Sequence, residues 1–94
     1  MKQIFLMKTF EDLEFKDFVV SYNSGVKSRM MFENGYGVSV VSTTSSYGGS
    51  EGLYEVAVLD STGEITYDTP ITSDVIGWLK PEQVTEAMIC VQNL

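Results

Sequence analysis

The dipeptide Asn34-Gly35 sits between two apolar runs rich in β-branched and aromatic residues, 26–33 and 36–44. Asn-Gly in that setting is the strongest short-range signal for a β-hairpin, because both residues tolerate the positive φ that a two-residue type I′ turn demands. Such a turn also fixes the register: Phe32 faces Gly37, Met31 faces Val38, Met30 faces Ser39 and Arg29 faces Val40. On that register the Phe32 ring covers the bare backbone of Gly37. A central antiparallel pair of strands is therefore the framework on which the rest of the chain is placed. It describes architecture and names no chemistry.

Upstream, Thr9 is followed three residues later by Asp12, the pattern of a capped helix start, so residues 10–13 are expected to form one helical turn. Residues 14–22 alternate, with Phe18, Val20 and Tyr22 on one side, and read as a strand that ends in an Asn23-Ser24-Gly25 turn. Downstream, residues 42–52 form the only low-complexity stretch, expected to be a long, mobile connection. Residues 53–60 are apolar on both faces, with Leu53, Ala57 and Leu59 on one and Tyr54, Val56 and Val58 on the other, as suits a covered central strand. Ser61-Thr62-Gly63 predicts a three-residue hairpin loop, and residues 64–69 a short return strand ended by Pro70. Thr72 or Ser73 can cap a short helix through Val75, Trp78 and Leu79, and Pro81 opens a second helix. Val84, Ala87, Met88 and Val91 then repeat as an apolar stripe. The predicted fold class is α+β: an antiparallel β-meander of four to five strands with a C-terminal helix packed on the sheet.

At 94 residues the chain reads as a single domain, 1–94, with one core. Met7 offers a second start, which would make residues 1–6 an N-terminal extension. The run from Met1 to Met7 is too short for a signal peptide, no apolar run reaches the roughly 20 residues of a membrane span, and a single cysteine forms no internal disulfide. The expected location is the cytoplasm. The net charge of −7 is uneven: residues 30–94 hold Lys80 against nine acids, which leaves that part near −8. Such a surface repels nucleic acids and anionic membranes, so neither is an expected partner. A solvated surface is the ordinary role of that charge; an acidic face docked on a basic partner is the sharper one.

Histidine is absent, which excludes His-based acid–base chemistry, nucleophilic triads and His metal sites. Cys90 lies in the apolar C-terminal helix and reads as a small core residue rather than a reactive thiol. Residues 47–52, Tyr-Gly-Gly-Ser-Glu-Gly, lack the lysine and the helix opening of a phosphate-binding loop; a flexible interstrand loop is their ordinary role, and an adaptable recognition loop around Tyr47 the sharper one. Residues 60–64 begin like a calcium loop but lack its distal acid. Glu11, Asp12, Glu14 and Asp17 form an acidic set with the ordinary role of a solvated helix start. Met31, Tyr36, Val40 and Trp78 could build an exposed patch, with core packing as their ordinary role.

The segments 7–13, 34–41, 52–59 and 65–79 resemble a family of small proteins carried by bacteriophages and prophages. The resemblance covers most of the chain from Met7 onward. It implies a phage accessory product acting in a bacterial cytoplasm, and it implies no activity or site residues. The expectation that follows is a non-enzymatic protein, with no cofactor, that binds and inhibits a host protein with a basic surface, such as a defence or replication factor. Its contact candidates are Tyr47, Glu51, Glu55, Asp60 and Glu64. The alternatives are a symmetric homo-oligomer that sequesters a nucleotide, with Lys27, Arg29 and Lys80 to neutralise the anion, and a minor structural protein of the virion.

Overall fold

The structure, a computed structural model, describes residues 7–94, so the proposed extension 1–6 lies outside the described residues. The fold is α+β: a five-stranded antiparallel sheet in simple meander order with one C-terminal helix. The strands are β1 (Lys16–Val20), β2 (Asn23–Met31), β3 (Gly37–Thr43), β4 (Tyr54–Leu59) and β5 (Ile76–Leu79). The helix, α1, spans Pro81–Gln92.

One face of the sheet packs on α1. Alternation along β3 and β4 sends Val38, Val40, Val56 and Val58 to that face, where all four are fully buried with Val84, Met88 and Val91 of the helix. The helical stripe is thus the one its spacing predicts. Cys90 is exposed instead of buried. At 100° per residue it lies about 200° around the helix from Met88, off the stripe packed on the sheet, where it lines an open groove with Ile71, Ile76 and Leu79. Between helix and sheet, Phe10 and Phe15 meet Tyr54 at ring-centroid distances of 5.1 and 5.5 Å.

The expected turn at Thr9 is present as a 3-10 turn, Phe10–Asp12, with the Thr9 backbone N–H donating to Asp12 Oδ2 at 2.8 Å. Buried Gln92 fastens this segment to the helix: its Oε1 accepts from Lys8 N and its Nε2 donates to Lys8 O, both at 2.8 Å. At the other end of α1, Pro81 takes the first position and the Lys80 N–H donates to Gln83 Oε1 at 2.9 Å.

The central hairpin forms, but in a different register. Met31 faces Gly37 and Met30 faces Val38, one residue away from the two-residue alignment. The loop has three residues, Glu33-Asn34-Gly35, closed by Phe32 N–H to Tyr36 O at 2.7 Å, with only Gly35 left-handed at φ 90°. Asn34 is the reason. Its Oδ1 accepts from Tyr36 N at 3.1 Å while its Nδ2 donates to the Val91 carbonyl at the end of α1, at 2.9 Å. The turn is tied to the helix, and the Met31 thioether covers Gly37 in place of the Phe32 ring.

Three other elements differ from expectation. The first hairpin turns at Ser21-Tyr22, with Ser21 at φ 43°, so Asn23, Ser24 and Gly25 belong to β2. The segment after Gly63 returns only as an isolated bridge, Leu59 to Ile65. The fifth strand comes from residues expected to be helical: Ile76 pairs with Val56 and Leu79 with Tyr54, across an irregularity. Gly77 and β-branched Ile76 are weak helix formers, and pairing with an open strand edge outweighs the helical spacing of Val75, Trp78 and Leu79. The three-residue loop at Ser61-Thr62-Gly63 is as predicted, with Gly63 at φ 83° and Asp60 N–H to Glu64 O at 2.8 Å. No helix of the described residues is long and apolar enough to cross a membrane.

Candidate functional site

The low-complexity stretch folds into a chain of tight turns, each made by its small polar residues. Ser46 accepts from Thr43 N at 2.8 Å through Oγ and donates back to Thr43 O at 3.1 Å. Gly48 and Gly52, left-handed at φ 87° and 77°, flank a 3-10 turn at Gly49–Glu51. Asn23 Oδ1 accepts from Ser45 N at 3.1 Å and fixes the loop to the first hairpin. The sequence signal for mobility, richness in Ser and Gly, is therefore also what permits this hydrogen-bonded path.

The loop presents Tyr47 beside Trp78. The Trp78 N–H donates to the Tyr47 carbonyl at 3.2 Å, and the Tyr47 side chain lies on Gly77, where an added Cβ would collide with it. Trp78 has φ 60°, a conformation rare for a bulky residue, and the neighbouring Gly48 leaves room for its ring. Both rings remain open to solvent, Tyr47 at 58% and Trp78 at 55%. Half-buried Glu55 accepts from the Tyr47 N–H at 3.2 Å through Oε1, and Glu51 is exposed in the adjacent 3-10 turn. Two aromatic rings and two carboxylates thus share one end of β4.

The other contact candidates do not join them. Asp60 and Glu64 flank the loop beyond the opposite end of β4, five or more residues on from Glu55, about 16 Å along the strand. Asp60 holds that loop in shape. Its Oδ1 accepts from the Thr62 hydroxyl at 2.6 Å, the Thr62 N–H at 2.9 Å and the Glu64 N–H at 3.2 Å. These bonds, the Thr62 hydroxyl first, hold its carboxyl below the usual carboxylate range. Of the residues considered for an exposed patch, Val40 is buried and Tyr36 packs on the core, while Met31 and Trp78 are about half exposed. For Trp78 the exposed reading holds over its ordinary role in the core. The signal was its place after Gly77, since a Gly-Trp pair is poor material for a short helix.

On the sheet face opposite α1, a groove of about 450 Å³ runs between the first hairpin and this loop, lined by Phe18, Lys27, Arg29, Ser39, Val41 and Ser45 among others. Lys80, grouped with Lys27 and Arg29 as an anion-neutralising residue, caps the helix and is not among the residues that line the groove.

The chain matches no protein-family model, no curated protein and no solved structure.

Proposed function

We propose that the protein acts by binding, and that the end of the molecule carrying Tyr47 and Trp78 docks on a basic segment of a host protein in a bacterial cytoplasm. The observation that supports this reading is the pairing of two exposed aromatic rings, held by backbone hydrogen bonds and bare glycines, with the carboxylates of Glu51 and Glu55. Tyr and Trp supply large contact area at low entropic cost, and they dominate the energetic centres of protein interfaces. Arginine and lysine of a partner find cation–π faces and counter-charges within the same few residues. The resemblance to phage proteins adds the context: occupation of a host factor's basic surface blocks that factor's own ligand.

The reading assigns contact to Tyr47, Glu51, Glu55 and Trp78 and removes Asp60 and Glu64 from the interface. Affinity capture from bacterial lysate with the wild-type chain, a Glu51→Lys/Glu55→Lys variant and an Asp60→Lys/Glu64→Lys variant tests it. One dominant partner should be captured by the wild type and by the second variant, and lost with the first. Equal capture by all three chains, or the absence of a dominant partner, would sink the assignment.

A further inference from the structure

The open face of the sheet gathers positive charge in an otherwise acidic molecule. Lys16 on β1 lies directly opposite Lys27 on β2, and Arg29 follows on the same face two residues along β2. Directly opposed residues have Cβ atoms about 5 Å apart, and alternate residues on a strand about 7 Å, so the three cations share a patch about 10 Å across. Like charges placed opposite each other on a sheet repel. Yet the Lys27 ammonium rests on the Phe18 ring, 4.4 Å from its centroid, and the Arg29 guanidinium donates to the Gly63 carbonyl at 2.9 Å. Among the described residues neither group is paired with a carboxylate. The carboxylate that lines the same groove, Glu55, is turned to the Tyr47 N–H.

The floor beneath this patch is shallow and partly polar. Ser39 of β3 lies between Arg29 and the small side chain of Ala57 on β4, and Val41 lies between Lys27 and Glu55, with Ser45 and Ser46 at one end. A volume of about 450 Å³ falls in the range of small-molecule sites. We infer that this groove binds a nucleotide bearing two or more phosphates. The phosphates lie against Lys27 and Arg29, with Lys16 beside Lys27 at the groove's edge and the Ser39 hydroxyl as a further donor, and the base lies against Phe18 and Val41. The anion relieves the repulsion between the opposed lysines. The groove borders the docking surface at Glu55, which lines it, but neither Tyr47 nor Trp78 does, and Lys27 and Phe18 belong to the groove alone.

Backbone-amide NMR titration of the whole chain with ATP, AMP and inorganic pyrophosphate tests the site. ATP should give saturable shifts confined to β1, β2 and the facing residues of β3, with affinity at least tenfold above that of either AMP or pyrophosphate. Lys27→Glu should reduce ATP affinity at least tenfold and Phe18→Leu several-fold, while Lys80→Glu, outside the groove, leaves it unchanged. The amide spectrum of each variant reports whether it is folded. Absence of saturable shifts at millimolar ATP, shifts centred elsewhere, or an unaltered affinity in folded Lys27→Glu would overturn the site. Pyrophosphate binding as tightly as ATP would overturn its assignment to nucleotides.

Discussion

Asn34 decides more than its own turn. An Asn-Gly pair is compatible with a two-residue loop or with a three-residue loop closed by a left-handed glycine, and the two differ by one residue of register. The second wins here because the Asn34 amide reaches the Val91 carbonyl at the end of α1. Replacing Asn34 with Ala removes that bond and the one to the Tyr36 N–H, and should cost about 1–3 kcal/mol in urea denaturation. Asp60 makes a second prediction at this scale. Its folded-state pKa lies below the unfolded one, so its contribution to stability is present above the ordinary value of 3.8 and is lost as pH falls below it. Unfolding followed against pH should show that acid-side loss in the wild type, and a smaller one in Asp60→Asn. For Trp78, an Asn substitution keeps a residue type that tolerates φ 60° while removing the ring, so the fold should persist and partner capture should fail.

Elements whose pattern is local were legible, and elements that depend on distant partners were not. The stripe Val84, Met88 and Val91, the loop closed by Gly63, and the cap at Thr9 are all set within a few residues of themselves. Strand β5 was not legible, because residues 75–79 carry helical spacing and become a strand only by pairing with β4, about twenty residues earlier. The low-complexity loop hid its order for a similar reason: its anchors, Asn23 and Gly77, lie in other elements. The clustering of Tyr47 with Trp78 follows from those same two elements, whereas the separation of Asp60 and Glu64 from Glu55 follows from β4, a strand already legible over 53–60. Two measurements belong to this scale. Met88 is fully buried against the sheet, so Met88→Ala should cost about 2–5 kcal/mol. Edge strand β1, by contrast, exposes Val19 at 76%, so Val19→Lys should leave stability within about 0.5 kcal/mol and lower the tendency to aggregate on heating.

At the scale of the whole molecule, the net charge of −7 conceals a separation of sign. Glu51 accompanies the exposed rings at the β4–β5 side and Lys16, Lys27 and Arg29 occupy the open face of β1 and β2, with Glu55 on the border between them. On the proposed reading, association at the acidic end should weaken as ionic strength rises and screens exposed charges. The central claim is that this acidic, aromatic end is the contact surface, and the chain carries its own reporter there. Trp78 is the single tryptophan and is 55% exposed. The most direct measurement is its intrinsic fluorescence as the captured partner is added at low salt. Docking through this end predicts a blue shift of the emission and protection from acrylamide quenching, both reversed by high salt. A partner that binds while the Trp78 emission and quenching stay unchanged would contradict the account.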